Sequence, residues 1–290
     1  MLPILFHIGR FPVHSWGVML MIGFLVAGWR AARNAPRYGL KPEDVWDVAL
    51  FGLLGGVFGG RIGFVIQEPQ FWREPGQILA IWTGGMTFYG GLLGGILAGW
   101  LTARSKGMRV ADMCDLAGVS FPLGYIFGRI GCFLNGCCYG GQCDLPWAMR
   151  FPNENGVGLT PPSHPAQLYS AIAGLLMFLA LVPLEKRRTF RGQLMCTFLF
   201  LYGIYRFLIE FVRAGASSDS SITHLPITDA QAASLLLSFV AAGIYLVLMS
   251  RRRAGEDVRI RDAAEVATAA PAGAPGPEGS TPPTASLPVA

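Results

Sequence analysis

The stretch GQLMCTFLFLYGIYRFLIEFV, residues 192–212, decides the fold class of this chain. It is long enough to cross about 30 Å of hydrocarbon as a helix, which takes roughly 20 residues. It nevertheless carries Arg206 and Glu210 in its second half. An arginine at the centre of a bilayer costs about 2.5–3.5 kcal/mol on insertion scales, so intramembrane charge indicates function. The stretch is therefore predicted to be a membrane helix with functional charges.

The composition extends this interpretation to the whole chain. Of its 290 residues, 52% are apolar and 14% are charged, whereas soluble domains have about 25% charged residues. The mean hydropathy is +0.44. The sequence predicts an all-α polytopic membrane protein. About seven apolar runs are long enough to span a bilayer, near residues 14–33, 45–66, 79–102, 115–133, 166–184, 192–212 and 229–250.

The basic residues alternate between the two sides of the predicted membrane domain. The net charge of +5 is spread over several loops, which argues against a nucleic-acid partner. Lys and Arg cluster after each odd-numbered span, at Arg30, Arg33, Arg37, Lys41, Arg104, Lys106, Arg109, Lys186, Arg187, Arg188, Arg191, Arg251, Arg252 and Arg253. The positive-inside rule then predicts an external N-terminus and a cytoplasmic C-terminus.

Two regions follow from this topology. Residues 1–253 form the predicted transmembrane domain, with small external loops near 136–165 and 213–228. The first run lacks a basic segment before it, so it is interpreted as a retained helix and not a signal peptide. Residues 254–290 are rich in Ala, Pro, Gly, Ser and Thr, a composition that predicts a disordered cytoplasmic tail.

Polar side chains form one stripe on the sixth predicted helix. Tyr202, Arg206, Glu210 and Arg213 follow one another at spacings of three and four residues, which places them on one face. They are candidates for binding an anionic substrate. The plainer alternative is an Arg206–Glu210 ion pair that only lowers the cost of insertion.

The second and third spans are rich in glycine at spacings of three to four residues, a pattern typical of closely packed membrane helices. The segment GGMTFYGG, residues 84–91, is different because two glycine pairs flank Tyr89. It predicts an unwound element facing protein or a water-filled cavity. Tyr89 is a candidate functional residue.

The segment GRIGCFLNGCCYG, residues 128–140, ends the fourth span at the predicted external face. Arg129 lies there among glycines and one turn or more before Asn135. An arginine in such surroundings binds phosphate through two parallel hydrogen bonds. The alternative for Arg129 is snorkelling to the interface, against which its glycine neighbours and Asn135 argue.

Four of the six cysteines lie in or just after this segment, at Cys132, Cys137, Cys138 and Cys143. Zinc, an iron–sulfur cluster or a disulfide are open alternatives. The spacing lacks the C-x2-C pair typical of structural zinc, and no histidine lies among the four. Small apolar packing residues are a further alternative.

Five motifs taken together resemble the prolipoprotein diacylglyceryl transferase family over about residues 1–250. They are, in chain order, His14-x-Trp16-Gly17, GMTFYGGL at 85–92, GRIGxFLNG at 128–136, HPAQLY at 164–169 and YGxxRFxxEFxR at 202–213.

The resemblance implies a bacterial inner-membrane enzyme whose transferase domain is residues 1–253. Such an enzyme moves the diacylglyceryl group of phosphatidylglycerol onto the lipobox cysteine thiol of a prolipoprotein signal peptide, forming a thioether and releasing glycerol phosphate. It implies catalytic roles for Arg129, Arg206 and Tyr89 and no metal or other cofactor. Substrate-binding roles are implied for His14, Trp16, Asn135, Gly140, Tyr202, Glu210 and Arg213.

The chain departs from the family pattern at three positions. The family usually has His where this chain has Tyr89, Asn where it has Cys132, and Glu where it has Cys137. A tyrosine, with a pKa near 10 against about 6.5 for histidine, is a weaker general base. Two other classes stay open: a transporter, which is expected to show internal repeats that are not visible here, and a metal or redox membrane protein.

The topology is tested by reporter fusions. A phosphatase fused after Ala254 is expected to be inactive, because the phosphatase works only outside the cytoplasm and the last span is followed by a basic cluster. A fusion within residues 136–165 is the matched control and is expected to be active. Activity after Ala254 would contradict the topology.

Overall fold

The computed structural model describes residues 1–9, 11–68, 84–153, 158–213 and 227–254. A short antiparallel hairpin of β1 and β2 precedes seven α-helices in these residues. The elements are β1 Ile4–Ile8, β2 Phe11–His14, α1 Ser15–Asn34, α2 Pro42–Gln67, α3 Phe88–Ser105, α4 Val110–Asn135, α5 Ala166–Lys186, α6 Gln193–Arg213 and α7 Asp229–Arg253. The predicted all-α class is confirmed, and the small hairpin is an addition to it.

Six of the described helices are long and apolar enough to cross a membrane: α1 with the turn that follows it, α2, and α4 to α7. Helix α3 has 18 residues, and its glycines and Arg104 lower its hydropathy. The predicted span 79–102 begins in residues 69–83, outside the described part of the chain. The tail after Ala254 and most of the predicted loop 213–228 also lie outside it.

Helices α2 and α3 pack in contact along their backbones, as the glycine pattern predicts. A Cβ atom added at Gly59 would lie 2.4 Å from the Gly90 carbonyl oxygen, and one at Gly94 would lie 2.3 Å from the Gly55 oxygen. Such distances exclude any larger residue without a shift of a helix. The small-residue packing predicted for these spans is confirmed.

The chain enters α3 through the predicted unwound element. Gly84 and Gly85 adopt left-handed φ values of 81° and 78°, which glycine tolerates best. Arg61, only 2% exposed, donates hydrogen bonds to both of their carbonyl oxygens. The Thr87 backbone N–H donates to the Gly60 carbonyl oxygen at 3.0 Å. The intramembrane charge of Arg61 therefore holds the start of α3 against α2.

Helices α4 and α6 run parallel in one constant register. A Cβ atom added at Gly118 would lie 2.9 Å from Met195 Cα. One turn further along, the rings of Phe121 and Phe198 lie 6.2 Å apart. After another turn, Tyr125 meets Tyr202 edge to face at 5.9 Å. The next turn of each helix carries an arginine.

The carboxylate of Asp115 fixes this register at one end of the bundle. Asp115 is fully buried and accepts hydrogen bonds from the backbone N–H groups of Gly192, Leu194 and Met195 at 2.7, 2.8 and 3.0 Å. Arg188 Nε donates to the same carboxylate at 2.8 Å. The carboxylate satisfies N–H groups at the start of α6 that have no intrahelical acceptor.

Further ion pairs join the other helices at this end, which is called the basic end below. Arg30 pairs with Glu185 and donates to Ser120 Oγ at 3.2 Å. The Tyr38 hydroxyl donates to Glu185 at 2.7 Å. These contacts connect α1, α4 and α5. Three of the basic residues that set the predicted topology, Arg30, Arg188 and Arg191, are thus paired with buried carboxylates.

The opposite end, called the loop end, carries a folded loop over the last turn of α4. Tyr139 stacks on Phe151 with ring centroids 5.0 Å apart and an interplanar angle of 11°, and Phe151 is fully buried. Short bridges pair Gln142 and Met149 with Ser163. These contacts hold the described part of the loop against the last turn of α4.

The Asp115 contact is tested by Asp115→Asn. The variant leaves Arg188 without its full counter-charge and places amide hydrogens against backbone N–H groups. Breaking a buried pair in this way costs about 3–5 kcal/mol, so the unfolding transition of the purified protein in detergent is expected at a clearly lower temperature. Asp47→Asn, which breaks a largely exposed pair with Lys106, is the matched control and is expected to change it little.

Candidate active site

Three arginines lie within electrostatic range of one tyrosine at the loop end of the bundle. The Tyr202 hydroxyl lies close enough to Arg129, Arg206 and Arg213 for the charge of each to act on it. Arg129 comes from α4, and the other two come from α6. These three side chains are called the arginine cluster below.

The α4–α6 register sets the relative heights of Arg129 and Arg206. Extending the Phe121–Phe198 and Tyr125–Tyr202 contacts by one turn places Arg129 and Arg206 at the same height. Two like charges at one height in a medium of low dielectric constant repel each other. An anion bound between them removes this penalty.

Arg129 is held by an aromatic ring. Its guanidinium lies 4.8 Å from the centroid of the Tyr125 ring, within the range of a cation–π contact. Tyr125 is fixed in turn, because its hydroxyl lies 3.2 Å from that of Tyr205, which donates to Ser170 Oγ. In the described residues no carboxylate forms an ion pair with Arg129. Its planar donors remain available to a ligand.

The two arginines of α6 differ in their partners. Arg206 pairs with Glu210, which is the ion pair that the sequence offered as the plainer alternative to anion binding, and Glu210 is only 1% exposed. The Arg206 side chain keeps 23% of its surface accessible. Arg213 has a buried Nε with no hydrogen-bond acceptor among the described residues. Since buried polar groups are nearly always satisfied, this Nε is a candidate contact to an anionic ligand.

Gly140 fixes the loop beside Arg213. Its backbone N–H donates to the His164 carbonyl oxygen at 2.9 Å, and the next N–H, of Gly141, donates to the Val212 oxygen at 2.9 Å. A Cβ atom at Gly140 would lie 2.7 Å from that Val212 oxygen. Gly140 therefore permits close backbone approach at the end of α6, which positions Arg213.

Three thiols meet at the end of α4. The Sγ atoms of Cys132, Cys137 and Cys138 all lie within 4.8 Å of one another, and they are called the thiol cluster below. Hydrogen bonds from the Cys132 and Cys138 thiols lower the pKa of the Cys137 thiol, and the Asn135 side chain adds another hydrogen bond to it. Cys143 is not part of the group.

The thiol cluster lies within electrostatic range of two members of the arginine cluster. Cys132 is close enough to Arg129 for their charges to interact, and Cys138 is close enough to Arg213. Gln167, fully buried, donates from Nε2 to the Cys137 carbonyl oxygen at 2.7 Å. The site thus combines anion-binding groups with a compact set of sulfur atoms.

Comparison with known proteins identifies the family. The family model described as prolipoprotein diacylglyceryl transferase matches residues 3–249. The chain belongs to this family.

Named relatives agree over most of their length. A phosphatidylglycerol–prolipoprotein diacylglyceryl transferase of Chromohalobacter salexigens is 36% identical over 90% of this chain and 97% of its own. One of Geobacter sulfurreducens is 36% identical over 87% of this chain and 97% of its own. One of Nitratidesulfovibrio vulgaris is 39% identical over 73% and 81%. The chain is thus a transferase of lipoprotein biosynthesis and a multi-pass membrane protein, not a transporter.

The first predicted motif lies against the last turns of α4. His14 ends β2 directly before α1, and its side chain is exposed. Trp16 is 46% exposed, and a Cβ atom at Gly131 would lie 3.3 Å from Trp16 Cα. Both residues therefore lie near the turn of α4 that follows Arg129.

Tyr89 is the predicted site residue that the structure does not join to the others. It lies in the first turn of α3 with 74% of its surface exposed. Its ring contacts Phe88 edge to face at 5.7 Å, and within the described ranges it contacts none of the three arginines. Its position leaves it facing outward from the α2–α3 pair.

Several residues of the candidate site were missed from the sequence. Tyr125 lies one turn before Arg129, so the helical spacing alone could have indicated it. Gln167 stands in the quoted HPAQLY motif, yet only the fold places it under Cys137. Tyr205 lies off the polar stripe of α6 and gave no separate signal.

Proposed function

We propose that this protein transfers the diacylglyceryl group of phosphatidylglycerol to the lipobox cysteine thiol of prolipoprotein signal peptides. The names of the relatives from Chromohalobacter salexigens and Geobacter sulfurreducens state this donor and this acceptor. The observation that carries the proposal is the arginine cluster, in which Arg129 has an aromatic but no acidic partner among the described residues and Arg213 has an unsatisfied Nε.

The phosphodiester of the lipid is the natural ligand for these groups. Arg129 offers a planar fork of donors that matches two phosphate oxygens. Arg213 supplies a buried Nε–H. Arg206, oriented by Glu210, adds charge with part of its surface free. Tyr202 lies within electrostatic range of all three arginines, and Asn135 is proposed to add a polar contact from the last turn of α4.

In the proposed reaction, negative charge develops on the leaving phosphate group and must be stabilised. The sulfur of the lipobox cysteine attacks the glycerol carbon that carries the phosphate, forming a C–S bond. The C–O bond to the phosphate breaks, and glycerol phosphate leaves with the electron pair. The arginines are already in place where that negative charge grows, which is the arrangement that lowers a barrier most effectively.

Residues at the rim of the site are proposed to receive the peptide and the lipid chains. Trp16 and His14 lie where an aromatic belt at the membrane interface is expected. Tyr89 is proposed to orient the peptide through its hydroxyl, because it is exposed at the start of α3. Because 74% of its surface is exposed, the Tyr89 side chain is expected to contribute little to stability.

The proposed location is the inner membrane of a bacterial cell. The basic end is proposed to face the cytoplasm by the positive-inside rule. The loop end with both clusters is then at the external leaflet, where a secreted prolipoprotein presents its signal peptide. The partners are phosphatidylglycerol, the prolipoprotein and the membrane itself.

The arginine assignment is tested by Arg129→Gln and Arg206→Gln. Each variant is expected to lower the rate of diacylglyceryl transfer by a factor of about 10²–10³, because one charge-assisted contact to a developing anion is lost. Lysine at either position is expected to rescue poorly, since an ammonium lacks the planar fork.

The assay measures glycerol phosphate released from phosphatidylglycerol in the presence of a lipobox peptide. Arg104→Gln is the matched control, because Arg104 is exposed in the last turn of α3 at the basic end, and it is expected to be near normal. Near-normal transfer by both Gln variants at positions 129 and 206 would overturn the assignment.

The role of Tyr89 is tested separately. Tyr89→Phe is expected to reduce transfer only two- to about tenfold, corresponding to one neutral hydrogen bond of ~0.5–1.5 kcal/mol. The rate is measured from about pH 6 to pH 9. A loss of several orders of magnitude that Tyr89→His reverses would show instead that the side chain at this position is the general base.

A further inference from the structure

Phosphate binding by the arginines does not use the thiol cluster. Its three sulfur atoms come from the last turn of α4 and from the first two residues after the helix-ending Gly136. Around one tetrahedral Zn²⁺ ion with Zn–S bonds of about 2.3 Å, sulfur atoms lie roughly 3.8 Å apart. The observed separations, all within 4.8 Å, need only small side-chain rotations to reach that value.

The backbone is shaped to bring the three thiols together. Gly136 ends α4 with a left-handed φ of 78°, and Cys138 has a φ of 62°. Cys138 is the one non-glycine residue with a positive φ in the described part of the chain. A side chain held in this costly conformation is a feature of functional sites. This conformation occurs where the Cys138 sulfur lies within 4.8 Å of the other two.

The charges around the cluster suit a metal–thiolate site. Three thiolates and one Zn²⁺ ion carry a net charge of −1, and Arg129 and Arg213 are close enough to Cys132 and Cys138 respectively for their charges to interact. Positive neighbours favour thiolates over thiols. The side-chain amide of Gln167 fixes the Cys137 backbone by donating a hydrogen bond to its carbonyl oxygen.

The cluster also leaves one coordination position open. Three protein ligands with a free fourth position are typical of catalytic zinc sites, whereas structural sites use four. Cys138 is exposed, and the other two cysteines are half-buried, so a fourth ligand can approach. The acceptor in the proposed function is itself a thiol, the same type of ligand as the three already present.

We propose that Cys132, Cys137 and Cys138 bind Zn²⁺ and that the open position binds the lipobox thiol of the peptide and activates it. The identity of this fourth ligand rests on the proposed function. A thiol that coordinates zinc is deprotonated, and its proton passes to water. The zinc-bound sulfur then attacks the glycerol carbon, the C–S bond forms, and glycerol phosphate leaves with the electrons of the C–O bond. No atom changes its redox state.

This proposal accounts for the absence of a strong base at position 89. A free thiol with a pKa near 8.5 is only about 3% ionised at pH 7. Coordination to zinc ionises it fully, which corresponds to a gain of about thirtyfold in reactive thiolate at that pH. The residue at position 89 then has no proton to remove.

Metal binding is tested on the full chain, purified in detergent without chelators. One Zn²⁺ per chain is expected by mass spectrometry of the metal, and Co²⁺ in its place is expected to give sulfur-to-cobalt charge-transfer absorption. Cys132→Ser and Cys138→Ser are expected to lose both signals. Cys143→Ser, in the same loop but outside the cluster, is the matched control and is expected to keep them.

Activation is tested on the Co²⁺-loaded protein and on transfer itself. A lipobox peptide is expected to change the charge-transfer spectrum, whereas the same peptide with Ser in place of the lipobox Cys is not. Removing the metal from the wild-type protein with a chelator is expected to lower transfer at pH 7 about thirtyfold, and the loss is expected to shrink as the pH approaches 9. Added Zn²⁺ is expected to restore the rate.

The outcomes separate this inference from the proposed function. Full transfer by metal-free protein, a wild-type chain that binds no Zn²⁺, or a disulfide between any two cysteines of the cluster overturns the zinc site and leaves the transferase proposal standing. A zinc-loaded protein that binds the lipobox peptide at the metal but releases no glycerol phosphate overturns the proposed donor instead.

Discussion

The buried carboxylate of Asp115 is the contact on which the rest of the arrangement depends. It accepts three backbone hydrogen bonds at the start of α6 and one from Arg188. In hydrocarbon these N–H groups have no water to bind, so an unsatisfied helix start would be costly. One side chain of α4 therefore fixes both the height and the rotation of α6.

The register set at Asp115 also determines which side chains lie at the same height at the loop end. Because helices are stiff, a register fixed at Asp115 persists through the Phe121–Phe198 and Tyr125–Tyr202 contacts up to the arginines. Charge is thus neutralised at the basic end, where Arg30 and Arg188 have acidic partners. At the loop end it is only partly neutralised, since among the described residues only Arg206 of the arginine cluster has a carboxylate.

The loop end also holds the thiol cluster, so anion-binding side chains and sulfur ligands lie near one another. Arginines match an oxyanion, and sulfur atoms match a thiophilic cation. Cys132 belongs to the thiol cluster and also lies near the arginine cluster, because it follows Arg129 by one turn on α4. The folded loop, held by Phe151 and by Gly140 against Val212, keeps the two sets of groups beside each other.

Sequence alone determined what depends on neighbours along the chain. The length of the apolar runs predicted the membrane helices. Spacings of three and four residues placed Arg206 and Glu210 on one helix face and predicted close packing of the glycine-rich helices α2 and α3. Only the tertiary structure decided which distant groups meet. The α4–α6 register places Arg129 and Arg206 at the same height. Cys132, Cys137 and Cys138 form one group, in which Cys138 has a left-handed φ, and Cys143 is not part of it. Within the described residues Tyr89 contacts Phe88 and none of the three arginines. Periodicity fixes the face of one helix, whereas helix pairing depends on buried contacts such as that of Asp115, whose partners are remote in sequence.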